Sequence, residues 1–561
     1  MIYKVADNIL SPLGLTTEQN YQTVMSGRSA LECYGGRTKE EGRRTKEDGL
    51  TRFESLVVRS VREAISPSSF LLPPSSFDIS SERVVFILST TKANVEYLGR
   101  DDATSDLLHP GESAQRICRV LGVTTTPVVM CNACVSGLSA IILASRLLEQ
   151  RQYDYAIVCG ADVLSRFVTS GFESLKTVSA SPCRPFDIDR QGMNLGEAAA
   201  TIVLGTSGGP WAIQAGAVRN DAYDITAPSK KGEGAYRCLQ AVLQDVQTDD
   251  LALVNAHGVA SMFMDQMESV AIERAGLTAV PVNSLKGYFG HTLGAAGVLE
   301  TVLTMYALEQ GTIIGTRGFE ELGVSGQIQV TAQHQPTEKR SFIKMLSGFG
   351  GCNAALLVGN HGDGSADQSL RERDQQNRPH DHRVVITPES VTVDGEQVAC
   401  QTAGKQMLTE LYKQRVGDYP RYYKMDMMSR LGFIASELLI QREQQERFVP
   451  TAHRAVVLFN HSSSWHADKA YLETIRDPEN YFPSPALFVY TLPNIVTGEI
   501  AIRNGYYGET SFCILPWRDE AVMAQVQQAA FCDPATESLI SGWLDYENDE
   551  DFKADLYLLS K

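Results

Sequence analysis

Through the first 360 residues of the chain, short continuous apolar runs alternate with longer amphipathic ones. "VVFILST" (84–90), "YAIVCGADVL" (155–164) and "LALVNAHG" (251–258) are β-branched or apolar stretches that end in small or polar residues. Such runs predict strands of an α/β sheet covered on both faces. "SGLSAIILASRLLEQ" (136–150) carries apolar residues at helical spacing and predicts an amphipathic helix. "LSGFGGCNAALLVG" (346–359) predicts two strands joined through glycines. "RTKEEGRRTKEDG" (37–49) repeats Arg-Thr-Lys-Glu at a seven-residue interval and predicts a solvated charged loop. Residues 361–383, polar, Gly- and Asp-rich and almost free of apolar side chains, predict a linker, and a second block follows at 384–561.

The second block echoes the first. "RVVFILSTTKANVEYL" (83–98) resembles "RAVVLFNHSSSWHADKAYL" (454–472), and "MCNACVSG…VCGADVL" resembles "FCILPWRD…ISGWLDY". An offset of 382 sets Cys513 opposite Cys131, Pro516 opposite Cys134 and Gly542 opposite Gly160, which predicts a duplicated fold whose second copy has no nucleophile.

The formal charge of −17 argues against nonspecific binding to nucleic acid or to an anionic membrane surface. No run approaches the ~20 apolar residues of a membrane span. The start, "MIYKVADNILSPLG", lacks the sections of a signal peptide, so a cytoplasmic protein is expected. Eleven thinly scattered cysteines read as reduced thiols rather than a disulfide framework.

"CNACVSG" (131–137) carries two of them three residues apart. A structural zinc site needs a second such pair, which the chain lacks, so no metal is expected. A redox pair and a single nucleophile both remain compatible with the run. In the second reading Cys134 stands at a strand-to-helix junction, where unpaired N–H groups and the helix dipole favour a thiolate. Cys131 is then a small buried apolar residue.

"NACVSG", "CRPFDIDRQGMNLGEAAATIVL" (183–204), "NAHGVASMFMDQME" (255–268), "NSLKGYFGHTLGAAG" (283–297) and "GFGGCNAALLV" (348–358) together resemble, in order and spacing, the motifs of β-ketoacyl synthases. The resemblance implies a thiolase-like five-layer αβαβα fold over 1–360, in halves of about 1–205 and 206–360, followed by a truncated, non-catalytic synthase-like half. It implies a Cys134–His257–His291 site with Lys286 beside it and Glu268 as the acidic partner of that lysine. Phe349 falls on a gating phenylalanine whose N–H joins that of Cys134 in an oxyanion hole.

The activity implied is decarboxylative Claisen condensation of malonyl and acyl thioesters delivered by an acyl carrier protein, in fatty-acid or polyketide assembly. The chain itself needs no cofactor, the phosphopantetheine being the carrier's, and a homodimer or a heterodimer with a synthase-like subunit is expected. Two alternatives keep the fold: non-decarboxylating thiolase or acyltransferase chemistry, and a non-catalytic partner akin to a chain-length factor. Arg184, Asp187, Asp189 and Arg190 read as a structural ion-pair loop, Glu197 as structural, and the methionines of 261–267 as either pocket lining or core. Val259 stands where the family has a threonine, and the segment before Cys134 is short, whereas 481–509 in the second block resembles the fuller form.

Overall fold

The computed structural model describes residues 1–32, 49–66, 77–101, 103–207, 209–244, 246–360, 380–443 and 446–561; nearly all of the charged repeat at 37–49 and of the linker stretch lies outside them. Strands β1 (Ile2–Leu10), β2 (Val84–Ser89), β3 (Val128–Met130), β4 (Tyr155–Asp162) and β5 (Ala198–Gly205) form a first unit. Their order is β3-β2-β4-β5-β1, with β2 parallel to β3 and β4, and β5 antiparallel to β4 and β1.

The second unit repeats that order. Its strands β6 (Trp211–Asn220), β7 (Leu251–Asn255) and β8 (Pro281–Asn283) join β12 (Ser341–Ser347) and β13 (Cys352–Asn360) as β8-β7-β12-β13-β6. β10 (Gln329–Val330) extends it beside β8, while β9 (Thr312–Ile313) and β11 (Gln335–Pro336) make a separate ribbon.

The C-terminal block uses the same arrangement a third time. β14 (His382–Ile386) begins two residues inside the expected linker, and β15 (Val391–Val393) and β16 (Glu396–Gln397) lie outside it. β17 (Arg454–Asn460), β18 (Thr510–Ile514), β19 (Ser538–Asn548) and β20 (Asp551–Ser560) complete the order β18-β17-β19-β20-β14.

Five layers result in the first two units. The helix Arg52–Ala64, opened by a reciprocal cap between Thr51 and Glu54, buries Phe53, Val57 and Val61 on the outer face of the first sheet. The helices Ser136–Glu149 and Ala296–Glu309 fill the space between the two sheets with Leu138, Ile141, Val298 and Val302. The helices Glu233–Val242 and Met262–Arg274 cover the far face through Leu239 and Ile272. No helix among the described residues is long and apolar enough to cross a membrane.

The third unit docks on the first through its strand edge. β18 runs antiparallel to β3, with Cys513 opposite Met130 and Ile514 opposite Val129. Asn132 stitches the seam: its side chain accepts from Phe512 N (2.8 Å) and donates to Thr510 O (3.2 Å). Arg146 reaches Glu509 at 2.6 Å, and Asp533 accepts from Arg219 at 2.5 Å. These buried ions bind the C-terminal block to both earlier units.

The ladder also corrects the register of the echo. Met130 and Cys513 share the inner face of their sheets, whereas Cys131 lies on the outer one. A one-residue slip turns every side chain of a strand over, so the offset there is 383 and not 382. Carried past the strand end, that offset would set Trp517, 48% exposed, rather than the expected Pro516 opposite Cys134.

Candidate active site

Cys134, His257 and Phe349 sit where a strand gives way to a turn, whereas Lys286 begins the short helix Lys286–Phe289, His291 follows it and Glu268 lies within the helix Met262–Arg274. β3 ends at Met130, and the tight turn Ala133–Val135 leads into the helix Ser136–Glu149. Ala133 is held at φ +48°, a left-handed conformation that costs a non-glycine residue about 1 kcal/mol or more. The second unit builds the same device: Leu293, at φ +53°, opens the turn Leu293–Ala295 before the helix Ala296–Glu309. The two helices touch near their starts, where a Cβ on Gly137 would lie 2.9 Å from the Gly297 Cα. Backbone contact at that crossing brings Cys134 and His291 to one place.

His257 follows β7 and precedes Gly258, held at φ +41° so close to Ser284 that a Cβ would lie 2.6 Å from the Ser284 Cβ. Its ring lies edge-on to that of His291, with centroids 5.2 Å apart at 84°. Cys134, His257, His291 and Phe349 line one cleft with a cavity of about 50 Å³, together with Val259 and Met264.

The hydrogen bonds assign roles to the ring nitrogens. Nδ1 of His291 accepts from Leu293 N (3.3 Å), which puts the proton on Nε2, and that buried Nε2 has no partner among the described residues. Nδ1 of His257 is likewise buried and unpartnered. Burial, then Lys286 and Lys344, hold both imidazoles well below the ordinary histidine value, and His291 adds to the effect on His257. Both rings are therefore neutral near pH 7.

Cys134 is 9% exposed. Burial pushes its thiol up to about 12, with Lys286 opposing and Asp162 reinforcing the shift. The expected resting thiolate is thus replaced by a neutral thiol, because desolvation outweighs the helix N-terminus and the nearby cation. Asp162 itself holds the loops together, accepting from Gly294 N and from the Thr90 hydroxyl, each at 2.7 Å.

The acidic partner of Lys286 is Glu300 and not Glu268. Glu268 accepts instead from the backbone N–H groups of His257 (2.5 Å) and Gly258 (2.8 Å), fixing the turn that presents the imidazole. The second oxygen of Glu300 lies 2.5 Å from Lys344 Nζ. Burial would raise the Glu300 carboxyl, but the two ammonium groups hold it below the ordinary range. Phe349 stacks on Phe172 with centroids 6.1 Å apart, and its carbonyl accepts from Asn494 of the C-terminal block at 2.9 Å. The adjoining Gly348 runs so close to the nucleophile turn that a Cβ there would meet Cys134 N at 3.2 Å.

Cys131 is buried, with its thiol pushed to about 12 by desolvation, and plays no part in the cleft. Arg184 pairs with Asp187 at 2.9 Å while Arg190 donates to the Asp187 and Gly323 carbonyls, a structural loop. Glu197 pairs with Arg52 and accepts from Leu164 N. Of the methionines, Met264 lines the cleft and Met262 is exposed. Among the described residues no group of three or more His, Cys, Asp or Glu side chains is placed to hold a metal ion.

Sequence reasoning missed Glu300, Lys344 and Phe488. The first two carried a signal: each is a lone charge inside an otherwise apolar element, "AAGVLETVLTMYAL" and "SFIKMLS". A buried charge requires a partner. Phe488 comes from the C-terminal block and packs edge-on against Phe172 at 5.4 Å, backing a ring that lines the cleft.

Comparison with known proteins gives the same assignment. Residues 104–207 match the family model "Beta-ketoacyl synthase, N-terminal domain" and residues 212–320 match "Beta-ketoacyl synthase, C-terminal domain". The chain is 33% identical over 251 residues to 3-oxoacyl-[acyl-carrier-protein] synthase 2 of Rhizobium meliloti, covering 40% of this chain and 59% of the relative. It is 30% identical over 261 residues to Nodulation protein E of Rhizobium leguminosarum bv. trifolii, covering 44% and 65%. The chain thus spans about six-tenths of the length of these relatives.

Two solved structures bracket the architecture. A ketosynthase (ApeO) in complex with its chain length factor (ApeC) from Xenorhabdus doucetiae superposes with a TM-score of 0.54 at 26% identity, covering 64% of this chain and 98% of that one. The PfaC keto synthase–chain length factor superposes with a TM-score of 0.72 over 100% of this chain and 78% of its own, at an identity of 15% that speaks for the fold alone. With both halves of the family model matched in order and their cysteine and two histidines facing one cleft, residues 104–320 of the chain carry the two domains of a β-ketoacyl synthase.

Proposed function

We propose that the protein extends a Cys134-bound acyl chain by two carbons through decarboxylative condensation with a malonyl thioester. The observation that carries this reading is the convergence of one thiol and two neutral imidazoles on a single cleft.

The chemistry follows from the groups present. The Cys134 sulfur attacks an acyl thioester, its proton passes through a neutral imidazole to the departing carrier thiol, and an acyl-Cys134 thioester remains. A malonyl thioester then loses its carboxylate as CO2, and the bonding pair becomes an enolate. His291 Nε2–H, aimed into the cleft with no competing acceptor, and His257 stabilise the enolate oxygen. The enolate carbon attacks the acyl-Cys134 carbonyl, and collapse of the tetrahedral oxyanion expels the cysteine sulfur, which recovers a proton. No step requires a cofactor of the chain's own, since the phosphopantetheine thiol belongs to the acyl carrier protein that would deliver both substrates.

The synthase-like partner is supplied in cis in this reading. β18 occupies the free edge of β3, and from the C-terminal block Phe488 and Asn494 contact Phe172 and Phe349, two residues that line the cleft. That block would act as a non-catalytic partner that shapes the acyl pocket, and any homodimer would use a different surface. The ten cysteines among the described residues are all free, which suits a reducing compartment such as the cytoplasm. Release of CO2 from malonyl carrier protein labelled at the free carboxylate tests the reaction: labelled gas together with a chain two carbons longer supports it, and extension or transfer without labelled gas moves the protein to acyl-transfer chemistry.

A further inference from the structure

The ion cluster behind the two histidines contains a second cation beside Lys286. Lys344, on β12, is 0% exposed. Its ammonium lies 2.5 Å from Glu300 Oε2 and donates to the carbonyl oxygens of Ala256 at 3.1 Å and Asn255 at 3.4 Å. One ion pair and two carbonyl hydrogen bonds thus surround the ammonium. Taking an ammonium group out of water costs several kcal/mol, and an apolar side chain would fill a strand interior without that cost. Asn255 and Ala256 are the two residues that lead into His257, and Glu300 is the carboxylate that holds Lys286.

We propose that Lys344 is a positioning residue for the condensation: through the shared carboxylate of Glu300 and the carbonyls of Asn255 and Ala256 it fixes Lys286 and the strand end that presents His257. The inference rests on the condensing-enzyme reading given above. Two consequences follow. With one oxygen of Glu300 tied to Lys344, the direction of the other is set, and the Lys286 ammonium has a single location. Two ammonium groups against the one carboxylate of Glu300 also place a second cation behind the imidazoles, present below about pH 8, the value to which burial lowers Lys344.

The charged and titratable groups facing those rings are Lys286, Lys344, Glu300, Glu268, Asp265, Cys134 with Asp162 behind it, and Asp221 and Asp224 at the mouth. Negative charge appears on the enolate oxygen only as CO2 departs. Fixed positive charge behind the donors therefore acts on kcat more than on KM.

Three variants test this, with the melting temperature as the control for folding. Lys344→Met removes the charge and keeps the length, Lys344→Gln keeps a donor without charge, and Lys344→Arg keeps both. In labelled CO2 release, Lys344→Met and Lys344→Gln are expected to lower kcat about 10–100-fold with KM changed less than about threefold, and Lys344→Arg to recover most of the loss. The acid limb of the pH profile should move to higher pH in the neutral variants, because imidazoles that lose a neighbouring cation protonate more readily.

Wild-type kcat and pH profile in either folded neutral variant would overturn the proposal, as would a loss that neither moves the acid limb nor is rescued by arginine. NMR titration of ring-labelled histidines reads the same charge without substrate: the His257 and His291 titrations should rise in pH in Lys344→Gln. Unmoved titrations would end the inference while leaving the reaction intact. Absence of labelled CO2 from the wild-type protein would end the reaction reading instead.

Discussion

Gly137 and Gly297 meet backbone to backbone, and the contact sets how closely Cys134 can approach His291. A methyl group on Gly297 would press on Leu138 N and on the Gly137 backbone, neither of which can swing aside. Gly297→Ala should cost about 1–3 kcal/mol by overpacking and lower activity far more than the stability loss explains, because it separates the helix starts that carry the thiol and the imidazole. Thermal melts and turnover measured on the same preparation check this; an active variant with a normal melt would show that the helix crossing does not set the site.

Removing one enolate donor should leave the first half-reaction largely intact. His257→Ala and His291→Ala are each expected to cut CO2 release by ~10²–10³-fold. Acyl transfer onto Cys134, read as the mass shift of the intact protein, should persist in at least one of them, since a single imidazole suffices to carry the thiol proton.

The state of the thiol has a pH signature. With Cys134 pushed to about 12 by burial, the thiolate fraction grows about tenfold per pH unit through neutrality. Alkylation by iodoacetamide should therefore keep accelerating between about pH 7 and pH 9. A plateau below pH 8 would mean that the helix N-terminus and Lys286 overcome desolvation.

The C-terminal block should change what the enzyme makes. Phe488 backs Phe172, which lines the cleft, and a Cβ at Gly171 would strike the Phe488 ring. Phe488→Ala is expected to admit longer acyl chains, measured by mass spectrometry of the acylated protein across a primer series. An unaltered primer preference would remove the block from the pocket's specificity.

The seam between the blocks depends on Asp533. Burial would raise its carboxyl, but Arg219 and Arg146 hold it below the ordinary 3.8. Its stabilisation is present above that value and is lost as pH falls through the lower folded one. Asp533→Asn leaves two buried guanidinium groups short of a partner and should cost about 3–5 kcal/mol, with the acid-dependent part of the stability reduced.

Much of this was legible in the sequence because local pattern and chemistry agree there. Apolar runs ending in small residues marked β2, β4 and β7, and the family resemblance singled out Cys134, His257 and His291, which the structure sets in one cleft. Tertiary relationships were not legible. The pairing of Lys286 with Glu300 rather than Glu268 depends on the central helix passing behind the site, a matter of packing between units. The echo register was off by one residue because residue likeness carries no information on which face of a strand is buried; the β3–β18 ladder does. The thiolate was overestimated because a sequence shows the helix start and not the depth of burial.

The central claim is that Cys134 and the two imidazoles act together in decarboxylative chain extension. Incubation of the full-length protein with an acyl carrier protein loaded with primer, and with malonyl carrier labelled at the free carboxylate, tests it most directly. The account predicts labelled CO2 and a β-ketoacyl product two carbons longer, with the product abolished in Cys134→Ala. A Cys134→Ala protein that still makes the extended product, or a wild-type protein that transfers acyl groups and releases no label, would contradict it.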